Sequence, residues 1–200
     1  MPIFADALSR LDQSARSNGE ILAHVSVVCI FYNAEIYFDE AVSSVLCQKY
    51  QDFELLLVDD GSQDGTTQLA LAHAAAHPGK VRYLSHPGRV NRGMSAARNL
   101  GLAHATGDLV AFIDADDRWR PGKLAEQVAI MAAQPAVGML FGTVNYWRSW
   151  TGGSDVPTPP GHRLDAVIDP PEAALALYPL GQAAAGCPSD VMIRRAVLDA

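Results

Sequence analysis

The chain has 200 residues and a mass of 21.4 kDa, the size of one ordinary domain and too little for a tandem array. Hydrophobic residues make up 49% and charged residues 18%, enough to bury a core and against global disorder. Fifteen Lys and Arg against twenty-two Asp and Glu leave a net charge of −7, a sign that repels phosphate backbones and excludes nucleic acid as the main partner.

Residues 1–24 alternate polar and small side chains without an apolar core of signal-peptide length, and read as an N-terminal arm. Residues 25–200 read as the folded domain. No stretch approaches the roughly 18 apolar residues of a membrane helix, so no transmembrane segment is expected. Cys29, Cys47 and Cys187 are an odd number at wide spacings with no CxxC pair, which argues for reduced thiols. The expected location is the cytoplasm, free or peripheral at the inner membrane face.

Val25-Ser26-Val27-Val28-Cys29-Ile30-Phe31 is a β-branched run of the kind that fills a strand buried on both faces. Phe38, Val42, Val45 and Leu46 then recur at helical spacing, and Phe53-Glu54-Leu55-Leu56-Leu57-Val58 predicts a second strand closing at Asp59-Asp60. Residues 61–65 form a polar turn, an Ala-rich helix covers 66–76, and His77-Pro78-Gly79 stops it before a third strand over 81–84. A helix over 94–104 closes at Gly107, and Leu109-Val110-Ala111-Phe112-Ile113 predicts a fourth strand that delivers Asp114 at its carboxyl end. Pro121 suits the first turn of a helix ending near Gln134. Residues 148–171, with Gly152, Gly153, Pro157, Pro159, Pro160 and Gly161, have no periodicity and read as a long loop or lid. A short helix over 172–177 and an apolar stretch over 191–193 follow. Strands alternating with helices imply an α/β fold, a Rossmann-like, mostly parallel sheet with helices on both faces.

Such sheets bind ligands at the carboxyl ends of their strands, where this sequence carries Tyr32-Asn33, Asp59-Asp60 and Asp114-Ala115-Asp116-Asp117. Three carboxylates within four residues repel one another unless a cation or hydrogen-bond donors offset them. Mn²⁺ or Mg²⁺, held by one or two carboxylates with substrate phosphate oxygens, supplies that offset; a solvated acidic turn is the competing reading. Residues 60–71 imitate a calcium loop, but Leu71 stands where its bidentate Glu belongs. Asp59 and Asp60 end a strand, and Ser62 or Asp64 suits a cap on the next helix, so at least one of these acids is expected to be structural. Arg98 is either a phosphate or carboxylate partner or a salt bridge to Asp59 or Asp114. The six histidines lack metal-ligand spacing. No GxGxxG, Walker or GxSxG motif follows a strand, which disfavours dinucleotide oxidoreductases, P-loop enzymes and α/β-hydrolases.

The strand ending in Tyr32-Asn33, the run Glu54-Leu55-Leu56-Leu57-Val58-Asp59-Asp60-Gly61-Ser62-Gln63-Asp64-Gly65-Thr66, the segment Gly93-Met94-Ser95-Ala96-Ala97-Arg98-Asn99 and the DxD-type Asp114-Ala115-Asp116-Asp117 follow one another in the order that resembles family-2 glycosyltransferases of the GT-A fold. The resemblance is strong over residues 25–145 and continues weakly through Cys187-Pro188-Ser189-Asp190-Val191-Met192-Ile193-Arg194-Arg195. It implies a donor site in which Tyr32 lies against the nucleotide base, Asp60 binds the base ring, and Asp114 or Asp116 faces the ribose. Asn33 and Arg98 complete that site, and Asp116 or Asp117 holds the metal.

The implied reaction is inverting, metal-assisted transfer from a nucleoside-diphosphate sugar, with UDP favoured, to a saccharide or lipid-linked acceptor in cell-surface polysaccharide or glycoconjugate synthesis. The resemblance puts the family's catalytic base beyond Ala200, so no catalytic residue is assigned, the domain is expected to be incomplete at its carboxyl end, and a chain without that base is expected to lack turnover. Asp190 is expected to be structural rather than a substitute base. Two other classes stay open: a nucleoside-diphosphate-binding module without turnover, and a sugar-phosphate nucleotidyltransferase. Tyr146, Trp147 and Trp150 suit either stacking on a sugar or packing the loop.

Overall fold

A computed structural model describes residues 23–177 and 186–199, together with the backbone but not the side chains of Trp150 and Leu177. The arm expected over residues 1–24 therefore lies outside the described residues up to residue 22, and the Trp150 ring lies outside them as well.

The two β-branched runs form strands β1 (Val25–Phe31) and β2 (Phe53–Asp59), every residue of both being buried. They join β3 (Val81–Ser85) and β4 (Leu109–Asp114) as parallel neighbours. Two short strands, β5 (Met139–Leu140) and β8 (Met192–Arg194), complete a six-stranded sheet in the order β3-β2-β1-β4-β8-β5, with β8 antiparallel to both of its neighbours. The mostly parallel expectation therefore holds, with the apolar stretch over 191–193 supplying the antiparallel strand.

Alternation along β1 divides the core. Val25, Val27, Cys29 and Phe31 face one apolar cluster, and Val28 and Ile30 face the other. Helices α1 (Phe38–Leu46), α2 (Thr66–Ala76) and α4 (Lys123–Ala133) pack on the first side through Phe38, Val42, Val45, Ala70, Leu124, Val128 and Met131. Helix α3 (Met94–His104) covers the second side, where Ala97 is fully buried. Both faces of the parallel core are thus closed, as its β-branched, charge-poor strands require.

Two expectations are corrected. Helix α4 begins at Lys123 rather than at Pro121, because residues 121–122 form a turn in which the Lys123 N–H donates to the Arg120 carbonyl (3.1 Å) and the Pro121 carbonyl accepts from the Lys49 N–H (2.9 Å). The stretch 148–171 is not without structure. Its strand β7 (Val156–Thr158) pairs antiparallel with β6 (Val144–Tyr146), and a 3₁₀ turn over Ser149–Thr151 lies between them. The Asp155 carboxylate closes this hairpin by accepting from the N–H groups of Arg148 (2.8 Å) and Ser149 (3.0 Å). Three-residue strands are too short to leave a period in the sequence. Helices α5 (Glu172–Leu177) and α6 (Arg195–Leu198) follow, and no helix among the described residues is long and apolar enough to cross a membrane. All three cysteines are free thiols, with Cys29 buried in β1.

One buried acid ties the amino edge of the sheet together. Glu54 Oε1 accepts from Ser26 Oγ, the Thr106 N–H and Thr106 Oγ1, each at 2.7 Å, and Oε2 pairs with Arg82 at 3.1 Å. Burial by itself raises the Glu54 pKa, but the Ser26 and Thr106 hydrogen bonds and the Arg82 charge outweigh it and hold the carboxyl below its ordinary 4.5. A folded pKa below the unfolded one gives stability that is complete above the unfolded value and lost as pH falls through the folded one. Urea unfolding between pH 7 and pH 3 is expected to show the midpoint dropping in the acid range, and Glu54→Gln is expected to flatten that drop.

Candidate functional site

Strand β1 lies between β2 and β4, with Phe31 opposite Asp59 and Ile30 opposite Asp114. The carboxyl ends of the three strands are therefore side by side, and Tyr32, Asn33, Asp59, Asp60 and residues 114–117 come to one edge. Strand order reverses between β1 and β4, which is where open α/β sheets bind ligands.

Asp59 is completely buried. Its Oδ1 accepts from the Ser62 N–H (2.7 Å), its Oδ2 accepts from Thr67 Oγ1 (2.7 Å) and the Tyr83 hydroxyl (2.9 Å), and the Arg89 guanidinium stands 3.5 Å away. Burial pushes its pKa up, and the bonds from Thr67, Ser62 and Tyr83 more than offset that, leaving the carboxyl below its usual range. Asp59 is thus the structural acid of the pair. Asp60 is almost as buried, and its two oxygens accept from the N–H groups of Arg92 and Gly93, both at 2.8 Å. These bonds fasten the segment after β3 against the end of β2. Gly61 permits that approach: its φ is +85°, and a Cβ there would stand 2.7 Å from the Arg89 carbonyl oxygen.

Tyr32 presents a half-exposed ring at the same edge (48%). Asn33, in the left-handed region at φ 51°, donates its N–H to Ser62 Oγ (3.1 Å), while its Oδ1 accepts from the Gln63 N–H (2.7 Å). Its side chain therefore clasps the two loops that leave β1 and β2. Thr66 Oγ1 accepts from the Ala34 N–H (2.9 Å), Asp64 Oδ1 from the Thr66 N–H (3.0 Å), and Glu35 Oε2 from the Gly65 N–H (3.0 Å). Asp64, one of the two expected caps, is thus the one that meets the start of α2, and Ser62 serves Asn33.

Among the acids after β4, Asp114 forms an ion pair with Arg98 at 2.7 Å, the salt-bridge alternative for that arginine. Asp116 is exposed. Asp117 is partly buried, and its pKa is raised, first by burial and then by the Asp116 and Asp114 charges, against a hydrogen bond from Ser189 that lowers it. The same field reaches Cys29, whose thiol is pushed up by burial, Asp114 and Asp116. Among the described residues no group of three or more His, Cys, Asp and Glu is arranged to hold a metal by itself. Asp116 and Asp117 nevertheless suit a hard cation that takes one or two carboxylates and completes its shell with phosphate oxygens, because the Arg98 pair only partly offsets Asp114 and the charges of both Asp114 and Asp116 still act on Asp117.

Several neighbours carried no sequence signal. Arg118 pairs with Glu40 of α1 at 2.6 Å and lies 4.8 Å from the ring centroid of Trp147, so that ring packs on the acidic loop's own arginine. Ser189 reaches the acidic loop from a 3₁₀ turn far along the chain. Asp190 beside it accepts the Gly142 N–H on its carboxylate (2.5 Å) and the Gln127 amide on its carbonyl (2.7 Å). A cavity of about 360 Å³ lined by Asp108, Arg194, Arg195, Ala196 and Asp199 lies at the opposite, amino edge of β4, where Arg194 and Arg195 donate to backbone carbonyls of Val137 and Gly107.

The family model described as "Glycosyl transferase family 2" matches residues 26–199. Over 107 residues the chain is 36% identical to the Escherichia coli protein named UDP-Glc:alpha-D-GlcNAc-diphosphoundecaprenol beta-1,3-glucosyltransferase WfgD, a match covering 54% of this chain and 40% of that protein. Other curated relatives are covered to 35% and 38% of their length, so the chain spans well under half of the proteins it matches. S. aureus TarS 1-349, solved in complex with UDP-GlcNAc, superposes with a TM-score of 0.66 at 23% identity, over 88% of this chain and 46% of that one. The mannosyltransferase PcManGT from Pyrobaculum calidifontis, in complex with GDP-Man and Mn²⁺, gives 0.56 at 27% identity, over 70% and 43%. The fold is GT-A.

Asp59→Ala leaves three donors without their acceptor and is expected to cost about 3–5 kcal/mol in denaturant unfolding. Gly61→Ala is expected to cost more than about 1 kcal/mol, since strain at positive φ adds to the clash with the 89–91 backbone.

Proposed function

The chain belongs to glycosyl transferase family 2, and we propose on that premise that it moves a sugar from a nucleoside-diphosphate sugar to an acceptor hydroxyl, with a divalent cation and with inversion at the anomeric carbon. The observation that carries this reading is the meeting of Tyr32, Asp60 and the Asp116-Asp117 pair at the β1/β4 switch point. The E. coli relative is named for a UDP-Glc donor and a diphosphoundecaprenol-linked acceptor, and the P. calidifontis enzyme was solved with GDP-Man and Mn²⁺. These support a nucleotide-sugar donor, UDP favoured, and a saccharide or lipid-linked acceptor in cell-surface glycan synthesis. Residues 25–200 act as the donor-binding domain.

Each residue has a separate task. Tyr32 offers its exposed ring to the base. Asp60 keeps a second lone pair on each oxygen after serving Arg92 and Gly93, and so can accept from a base N–H while its position stays fixed. Arg98 holds Asp114 in one orientation toward the ribose. Asp116 and Asp117 hold Mn²⁺ or Mg²⁺, which when bound offsets the charge that collects on the departing diphosphate. Asn33 supports the site by fixing the loop that carries Tyr32. Asp190 holds its own segment in place through Gly142 and Gln127 and is not assigned as the base.

Thermal unfolding with UDP or GDP, each with Mn²⁺ or with chelator, tests the reading. A diphosphate at about a hundred times its Kd stabilises by roughly 2.7 kcal/mol, on the order of 5–10 °C for a domain of this size. The expected result is a metal-dependent shift with one diphosphate that Asp116→Asn reduces. No shift with either in the folded protein would contradict the donor site.

A further inference from the structure

We infer that Trp147 is a specificity-determining residue whose ring, beside the Arg118–Glu40 ion pair, receives the sugar of the donor, an assignment that rests on the donor-site reading above. Arg118 directly follows Asp117, so their Cα atoms are about 3.8 Å apart. Its guanidinium pairs with Glu40 in the first turn of α1 (2.6 Å) and stands 4.8 Å from the centroid of the Trp147 ring. The hairpin that starts at β6 therefore brings an indole beside the acidic loop, one residue past the carboxylates that suit the cation.

Trp147 is placed unlike a packing tryptophan. Trp119, two residues past Asp117, is 6% exposed, sits in the apolar core and donates its indole N–H to the Ser189 carbonyl (2.7 Å). Trp147 keeps 38% of its surface exposed. Its indole N–H donates to Ser149 Oγ (2.7 Å) within the hairpin, and the Asp155 carboxylate fixes the backbone of Arg148 and Ser149 beside it. The polar edge of the ring is thus satisfied from its own hairpin, which leaves its carbons for a ligand.

This combination matches one ligand chemistry. A pyranose carries C–H groups on its ring faces and hydroxyls around its rim, and small-molecule sites pair an apolar surface with a few placed polar groups. The indole supplies the first. Arg118 and Glu40, with side chains 54% and 45% exposed, supply the second. The guanidinium has five N–H donors and the carboxylate about four lone-pair sites, and the bond between them uses one of each.

Position favours the sugar of the donor over that of an acceptor. In the row β3-β2-β1-β4-β8-β5, the base belongs at the ends of β1 and β2 and the cation at the end of β4, and the hairpin follows β5 from the far side. A diphosphate that runs from Tyr32 to Asp116 and Asp117 ends in its sugar, and the next residue along the loop is Arg118. An acceptor lies beyond that sugar.

The experiment is calorimetric titration at saturating Mn²⁺ of wild type, Trp147→Ala, Trp147→Leu and Trp147→Phe, with circular dichroism showing each folded at the assay temperature. The probes are UDP, GDP, UDP-glucose, UDP-N-acetylglucosamine and GDP-mannose. Trp147→Ala is expected to weaken the sugar nucleotide that wild type binds best by about 3- to 10-fold, the range of one aromatic stacking contact, and to leave the matching free diphosphate unchanged. Trp147→Phe, which keeps an aromatic face, is expected to restore most of the loss. Should Trp147→Ala not fold, Trp147→Leu keeps apolar bulk without the ring and is read the same way. An unchanged affinity for the sugar nucleotide, or a loss shared equally by the free diphosphate, would overturn the inference and leave the donor site standing. No diphosphate binding by wild type would remove the donor site and the inference together.

Discussion

Repulsion among the acids that β2 and β4 deliver to one edge of the sheet governs how the surrounding loops are built. Two carboxylates about 6 Å apart repel by roughly 3 kcal/mol at an effective dielectric near 20, and five acids share this edge. Asp59 is offset by Ser62, Thr67, Tyr83 and Arg89, Asp60 by two backbone N–H groups, and Asp114 by Arg98. Each offset also fixes a segment: the turn into α2, the stretch after β3, and the first turns of α3. Asp117, half-buried beside Asp114 and Asp116, stays unfavourably placed for charge, and Asp116 faces solvent. The uncompensated charge is thereby concentrated at one point of an otherwise neutralised edge, where a cation has the most to gain.

The parallel core was legible because burial on both faces leaves a strong mark. Val25–Phe31, Phe53–Asp59 and Leu109–Asp114 are nearly continuous apolar runs, the last two ending in acids, and punctuation by Gly61, Pro78 and Gly107 bounds the helices between them. The β6–β7 hairpin was not legible. Its strands have three residues each, one containing Pro157, and it is closed by Asp155 reaching back to Arg148 and Ser149. The late start of α4 likewise depends on Lys49, a partner more than seventy residues away in sequence.

The site divides along the same line. The acids at strand ends could be picked out from one sequence because their position follows from the strands. What each acid does could not, because that depends on donors supplied by other loops. Asp59 and Asp60 are adjacent and chemically identical, yet one meets side-chain hydroxyls inside the fold and the other meets the backbone of Arg92 and Gly93. Asn33, expected at the ligand, accepts from Gln63, and Arg98, expected either at the ligand or in a salt bridge, pairs with Asp114. Ser189 sits in a stretch that resembles the family only weakly, and nothing in its local sequence marks it as a partner of Asp114 and Trp119.

The architecture therefore separates holding from binding. On the proposed reading Asp59, Asn33, Arg98 and Ser189 consolidate the edge, Tyr32, Asp116 and Asp117 meet the donor, and Asp60, which also holds the Arg92 and Gly93 backbone, does both. A crystal structure of the chain with a nucleoside diphosphate and Mn²⁺, using the anomalous signal of manganese, tests this division most directly. The expected result is a manganese peak beside the Asp116 and Asp117 carboxylates and the bound diphosphate, with the base beside Tyr32 and Asp60. A diphosphate bound elsewhere, or a manganese peak away from both carboxylates, would contradict it.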